Sequence, residues 1–241
     1  MYSYKDIFGD KKRVLFVMAH PDDADVFFGG IISLLRQDKK EVFVLVMTNG
    51  CRGSRDNHIS EDALAEARTG EQKNALKQYG VPGTNFISLN YKDGEAENNM
   101  ELIGKIAYVV RKFKPDIVCT HNPNSFFSKS FTQDHYHVNH KDHRICGTST
   151  MDAVYPFSRD RSFFIEHTQE GLHPHIVRAM LFTATPEQIN TKIDIEKVIK
   201  TKKNGMAKHK SQFNKEKIEE ILGHFKDGKN DVERGFYIKL G

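Results

Sequence analysis

Cysteine is scarce in this chain: Cys51, Cys119 and Cys146 are the three among 241 residues. They are odd in number, far apart and form no Cys-x-x-Cys. That fits a reduced thiol inventory better than a disulfide framework or a thiolate zinc site. Cys51 falls in an expected loop, where its thiol would be accessible. Long apolar runs are missing too, and none approaches the roughly 20 residues that span a bilayer. The opening Met1-Tyr2-Ser3-Tyr4-Lys5-Asp6 lacks the basic-then-apolar form of a signal peptide. A cytoplasmic protein with no membrane span is therefore expected. A charge excess is nearly absent: the net charge is +4, with basic and acidic residues interleaved, which argues against a nucleic-acid partner. The densest basic stretch, Lys200 to Lys210, reads as a solvated helix face. No Gly-x-Gly-x-x-Gly follows the first apolar run, which disfavours a dinucleotide site. Linkers, internal repeats and low-complexity blocks are lacking as well, so residues 1–241 are expected to form one domain.

What is present is an alternation. Apolar β-rich runs at Val14–Met18, Glu41–Met47, Phe86–Leu89, Asp116–Thr120 and Val177–Phe182 are separated by helical patterns at Ala24–Leu35, Ser60–Tyr79 and Leu102–Phe113. A further helix is expected at about His143–Val154, and one or two between Ile195 and Phe225. With 38% apolar residues the chain can bury a full core. This order predicts an α/β fold, Rossmann-like, with a mostly parallel sheet and helices on both faces. The stretch from His121 to Lys141 shows no periodicity and reads as a long loop, of a length that is usually functional.

Two polar clusters break the pattern. The first, His20-Pro21-Asp22-Asp23, follows the first strand directly; the second is His140-Lys141-Asp142-His143. Residues delivered beyond the carboxyl ends of strands point into the crevice where open α/β sheets bind ligands. A His, a carboxylate and another His form a common facial set for zinc or iron(II), leaving a coordination position open for water. If the segment is already helical at His140, its imidazole and that of His143 lie one turn apart on one face, and both could reach the metal.

These residues carry a resemblance. Ala19-His20-Pro21-Asp22-Asp23-Ala24-Asp25 with Gly29-Gly30, followed by His140-Lys141-Asp142-His143-Arg144, is similar to the signature of the LmbE-like or PIG-L zinc N-deacetylases. Thr48-Asn49-Gly50, Arg68 with Glu71, Tyr91-Lys92-Asp93-Gly94, Lys114-Pro115-Asp116 and His209-Lys210-Ser211-Gln212 match in the same order. The chain departs from the pattern at Asp25, where the family has Glu, which questions its hydrogen-bond reach. It departs again at Lys141, where the family has Pro, which would loosen the loop before the helix.

The resemblance implies zinc, or another divalent metal, held by His20, Asp23 and His143. It implies Asp22 as general base and His140 facing the reacting carbonyl, where a protonated imidazole would steady the oxyanion. Asp142 would orient a neighbouring imidazole, and Arg68 and Asp93 would lie near sugar hydroxyls. Asp22 is expected to be ionised at rest, because a helix start and a dication outweigh burial. His209 is expected to be structural, and His121, His135, His137, His173 and His175 have no convincing partner spacing.

The function so implied is hydrolytic removal of an acetyl group from an N-acetylated amino sugar of the N-acetylglucosamine type, or its conjugate. Alternatives are an amidase on another amide, such as a thiol-sugar conjugate, and a non-catalytic zinc or sugar-binding protein; Asp22 argues against the last. Specificity is expected in the His121–Lys141 loop, in Cys51-Arg52-Gly53-Ser54-Arg55 and in Pro156–Pro174. Phe126, Phe127, Phe131 and Tyr136 are expected to serve loop packing more than sugar stacking. A homo-oligomer is compatible with the sequence.

Overall fold

The computed structural model describes residues 1–54, 58–129 and 136–241. Arg55, Phe131 and His135 lie outside them.

Strands β1 (Arg13–Met18) and β2 (Glu41–Thr48) are nearly unbroken apolar runs, as strands covered on both faces must be. A short helix α1 (Tyr4–Phe8) precedes them; they are joined by helix α2 (Asp23–Gln37) and pair in parallel. Ser60 caps α3 (Glu61–Gln78), its hydroxyl accepting from the Ala63 amide at 3.2 Å. This helix leads to β3 (Phe86–Tyr91), parallel to β2. Asn99 caps α4 (Met100–Phe113). That helix stops at Lys114, which adopts the left-handed conformation (φ 50°) before Pro115, and β4 (Ile117–Thr120) returns beside β1.

Side chains alternate across β1. Val14, Phe16 and Met18 enter one core with Phe28, Ile31 and Ile32 of α2. Leu15, Val17 and Ala19 enter a second with Ile103, Ile106 and Val110 of α4. Helices therefore cover both faces, as expected.

The rest of the sheet differs from the sequence reading. Val177–Phe182 is not the final strand. After β7 (Ala179–Phe182), parallel to β4, come β8 (Thr191–Asp194), β9 (Lys226–Asp227) and the ten-residue β10 (Asn230–Lys239). β10 lies antiparallel between β7 and β8, giving the order β3-β2-β1-β4-β7-β10-β8. The stretch after β4 is not wholly loop either: β5 (Phe127–Lys129) and β6 (Tyr136–Val138) pair as a separate antiparallel ribbon. Phe126, Phe127 and Tyr136 are exposed there, and the Arg144 guanidinium lies 5.4 Å over the Phe126 ring. Helix α5 (Lys141–Asp152) starts two residues before its expected beginning.

After the one-turn α6 (Ile165–Gln169), two short helices, α7 (Ile199–Met206) and α8 (Lys215–Gly223), pack on the α2 side. Lys202 of α7 is no part of a solvated face. It is fully buried and ion-paired with the equally buried Glu233 of β10 at 2.7 Å. Lys202 Nζ donates to the Val26 carbonyl, while Glu233 accepts from the Gly30 and Ile31 amides, each at 2.7 Å. The pair thus reaches into the middle of α2. The Gly29-Gly30 step permits this packing, since a Cβ at Gly30 would lie 2.6 Å from the Ile195 side chain. Among the described residues no helix is long and apolar enough to cross a membrane.

Candidate active site

β1 and β4 are neighbours, and their carboxyl ends deliver His20 and His121 to one crevice, as expected of a topological switch point. The chain turns sharply after β1 because Asp22 takes a left-handed conformation (φ 108°, ψ −29°) before α2 begins at Asp23. For a residue with a side chain this costs roughly 1–3 kcal/mol and persists only where the surroundings enforce it. Here they do. The Asp22 amide donates to Gln72 Oε1 at 2.8 Å, and Arg68 donates to the Pro21 carbonyl at 2.7 Å and to Asp22 Oδ2 at 3.0 Å.

Asp23 sits at the centre. Its Oδ2 accepts from the His20 amide at 2.8 Å, and its Oδ1 faces His143 Nε2 at 3.3 Å. His143 Nδ1 lies 3.1 Å from Asn139 Oδ1, and donation there leaves Nε2 with its lone pair toward Asp23. His20 Nε2 lies 3.3 Å from both Asp142 Oδ2 and Asp93 Oδ1, while its Nδ1 is 3.5 Å from Asp23 Oδ2. With Nε2 as donor, Nδ1 is the free ligand atom. His20, Asp23 and His143 each offer one ligand atom, all within 4.8 Å of one another. Two imidazoles with oriented outer nitrogens and one carboxylate are a donor set that fits zinc.

Burial works against charge on His20, yet its bonds to Asp142, Asp23 and Asp93 hold its pKa well above 6.5. Asp23 is also buried, but His143 and His121 draw its carboxyl well below the usual range. A dication would stand in for those protons. Asp22 is the counterpart: burial pushes its carboxyl up to about 6, with the Arg68 guanidinium pulling against the rise.

His140 caps α5, its Nδ1 accepting from the Asp142 amide at 3.1 Å. It is therefore not helical (φ −58°, ψ 141°), and its ring is separated in role from that of His143. A nitrogen that accepts from a backbone amide carries no proton, so this His140 is a neutral imidazole with its N–H at Nε2. Burial and the nearby His20 also lower its pKa. The cap thus supports the neutral imidazole, not the protonated form that would have been the stronger donor to an oxyanion.

Asp142 is fully buried rather than on a helix surface, taking bonds from His20 and from the Gly94 amide at 2.7 Å. Asp93 is buried beside His20, with its Oδ1 4.0 Å from His140 Nε2. Arg68, expected at sugar hydroxyls, is turned inward: besides Pro21 and Asp22 it donates to the Gly50 carbonyl at 2.9 Å. Gly50 (φ 65°) leaves room for that guanidinium, which a Cβ would strike.

Behind Asp22 runs a buried chain. Gln72 Nε2 donates to Asp25 Oδ2 at 2.8 Å, and His209 Nε2 reaches the same oxygen at 3.1 Å. Asp25 therefore has the reach that its short side chain called into question, and His209 is placed behind the site. Lys141 is tied to the Gly94 carbonyl at 3.1 Å. Cys51 is buried, as are Cys119 and Cys146, and all three are free thiols.

Sequence reasoning passed over His121. It lies at the end of β4, with Nε2 3.1 Å from Asp23 Oδ2, and its ring stacks on His143 at 4.1 Å between centroids. The Ala19 amide points to the same nitrogen at 3.2 Å. Burial and His143 press its pKa down to about 4. Gln72 and Asn139 were also passed over. His175 is held elsewhere, Nε2 bonded to the Pro115 carbonyl at 2.7 Å.

Comparison with known proteins matches the same stretch. The family model described as PIG-L, GlcNAc-PI de-N-acetylase, aligns with residues 15–154. Diacetylchitobiose deacetylase of Thermococcus kodakarensis is 30% identical over 212 residues, 88% of this chain and 74% of that protein. The 1D-myo-inositol 2-acetamido-2-deoxy-alpha-D-glucopyranoside deacetylase of Kineococcus radiotolerans is 29% identical, over 63% of this chain but only 47% of its own length. Among solved structures, N,N'-diacetylchitobiose deacetylase of Pyrococcus horikoshii superposes with a TM-score of 0.84 at 25% identity, covering 98% of this chain and 86% of that one. The fold alone is shared with GalB, a 4-carboxy-2-hydroxymuconate hydratase of Pseudomonas putida (TM-score 0.73, 18% identity, 95% of this chain and 96% of that one), so architecture by itself does not choose the chemistry. The family model begins within β1 and ends just beyond α5, a span that holds both polar clusters, and the chain belongs to the PIG-L family.

Proposed function

We propose that this protein is a zinc-dependent hydrolase that removes the acetyl group from an N-acetylglucosamine-type amino sugar or its conjugate. The observation that carries the reading is Asp22: a second carboxylate clamped by Arg68 and Gln72 beside the His20–Asp23–His143 set. A purely structural metal site needs no such neighbour.

His20, Asp23 and His143 would hold the metal, whose chemistry when bound is to acidify water and polarise the amide carbonyl. Asp22, held by Arg68 at its carboxylate and by Gln72 at its amide, takes the proton of the attacking water and returns it to the leaving nitrogen. His140 donates its Nε2–H to the carbonyl oxygen as charge develops there, a contribution of about 3–4 kcal/mol for one well-placed donor. Asp142 fixes the His20 ring, and Arg68 fixes Asp22. Asp93, at the polar side of the site, is the group offered to sugar hydroxyls. The three free, buried thiols are compatible with a reducing compartment such as the cytoplasm.

The test is primary-amine release from N-acetylglucosamine, N,N'-diacetylchitobiose and a set of N-acetylglucosamine conjugates, with metal content measured on the same sample. Release together with about one zinc per chain supports the reading. A metal-loaded protein that releases no amine from any acetamido sugar overturns it.

A further inference from the structure

The groups around the metal-ligand set are unevenly distributed along the carboxyl edge of the sheet. Beyond β3 the surroundings are charged: Asp93 stands there, with Arg52 bonded to the Asp93 carbonyl, to Glu61 and to Glu95. Beyond β4 and β7 the character changes. A cavity of about 350 Å³ opens there, walled by Phe27, Ala184, Pro186, Ile221 and Phe225. It is continuous with the site, because His143 and His121 line both, and Phe27 meets their rings edge-on with centroids 6.2 and 5.6 Å away.

Apolar surface makes up most of this wall, and three of its polar groups are engaged with the protein. Thr183 Oγ1 accepts from the Asn122 amide at 3.1 Å, and Thr185 Oγ1 donates to Gln188 at 3.3 Å. Arg234 donates to the His224 and Lys226 carbonyls. A sugar placed here would set most of its hydroxyls against apolar surface, which is costly. The acyl side of the amide has no such need.

We propose that this cavity is the acyl subsite, and that the protein hydrolyses N-acyl amino sugars whose acyl chains are several carbons longer than acetyl. The inference rests on the amide-hydrolase reading above and adds the acyl class. Water adds to the carbonyl carbon, the C–N bond breaks, and both water protons end on the nitrogen, leaving a straight-chain carboxylate and a sugar ammonium. Size supports the assignment. A methyl fills about the 30 Å³ share of one water, so acetyl leaves most of the cavity unfilled, whereas the five-carbon tail of a hexanoyl group occupies roughly 150 Å³ of it. Each further methylene buried should raise kcat/KM by about fourfold until the walls are met.

The experiment compares amine release from N-acetyl-, N-butanoyl-, N-hexanoyl- and N-octanoylglucosamine by the metal-loaded protein and by Ile221→Trp and Ala184→Leu. These two positions lie on separate elements and outside the metal-ligand set. Hexanoate and acetate are titrated calorimetrically as probes of the same cavity. The expected result is a kcat/KM for hexanoyl at least tenfold that for acetyl, with hexanoate binding more tightly than acetate. Each variant should lower the hexanoyl value tenfold or more while leaving acetyl within about threefold. A wild-type rate that falls steadily from acetyl onward overturns the proposal. So do variants that lose diacetylchitobiose turnover while keeping the chain-length profile, which would place the leaving sugar in the cavity. If one variant fails to fold, the other still decides. Turnover of acetyl alone refutes only this inference; turnover of no substrate refutes the amide-hydrolase reading itself.

Discussion

Replacing Gln72 with Leu tests whether the backbone of Asp22 is held for catalysis. Gln72 is fully buried near the middle of α3, accepting from the Asp22 amide and donating to Asp25 at 2.8 Å each. Leu has nearly the same bulk and neither bond. Asp25 Oδ2 keeps His209 as a partner, but the Asp22 amide is left without its acceptor, at a cost of about 1–3 kcal/mol. The left-handed turn at φ 108° stores energy of similar size, so loss of its clamp lets the carboxyl drift. A displacement of about 1 Å at a reacting group lowers the rate roughly 100-fold. The expected phenotype is therefore a kcat lowered 30- to 100-fold, a KM within about threefold, zinc retained at wild-type stoichiometry, and a modest fall in Tm. Steady-state kinetics on diacetylchitobiose, metal analysis and a thermal melt measure all four. A kcat within threefold of wild type, with the same fall in Tm, would show that Gln72 serves packing alone.

Four further outcomes follow from the geometry. Asp22→Asn should keep about one metal per chain and lose on the order of 100-fold or more in turnover; metal analysis with near-normal rates would remove Asp22 from proton transfer. With metal chelated, the same substitution isolates a stability difference. A carboxyl raised to about 6 favours the folded state below pH 4 and loses that contribution as pH rises through 6, so Asp22→Asn should gain roughly 3 kcal/mol relative to wild type between pH 4 and 8 in urea titrations. His143→Ala should lower zinc affinity by orders of magnitude while His140→Ala keeps zinc and slows the reaction, as calorimetric zinc titration will show; equal losses would mean that both imidazoles coordinate. Lys202→Met should destabilise by about 3–5 kcal/mol by leaving the Glu233 charge unmatched, and Lys202→Met with Glu233→Gln should recover a large part of it.

The parallel half of the sheet was legible because its strands are uninterrupted apolar runs between helical patterns. β10 was not, because its buried face includes Glu233 and its sequence, Asn-Asp-Val-Glu-Arg-Gly-Phe-Tyr-Ile-Lys, mixes charge into a strand whose polar residue is satisfied by α7 and α2. At the site, His20, Asp22, Asp23 and the His140–His143 cluster announce themselves by local density. His121 gives no such signal, since a single His after a strand acquires meaning only when β4 is set beside β1. Gln72 and Arg68 are similar: a helix residue is read as facing the core or solvent, and its sequence does not say that a strained turn nearly fifty residues earlier leans on it. The His140 cap was hidden as well, because an imidazole is not among the usual capping side chains.

The way α2 is gripped has a consequence for how the protein is made. Residues up to 143 include every proposed metal ligand, so a nascent chain of that length carries the full donor set. Yet the helix that presents Asp23 is fastened at its first turn through Asp25 to His209, and at its middle by Lys202 and Glu233. A ribosome adding about 5–20 residues each second takes several seconds to deliver those last anchors. During that interval the ligands exist without the frame that sets their spacing. The proposed ligands would therefore gain their spacing only once β10 is made, some ninety residues after the last of them.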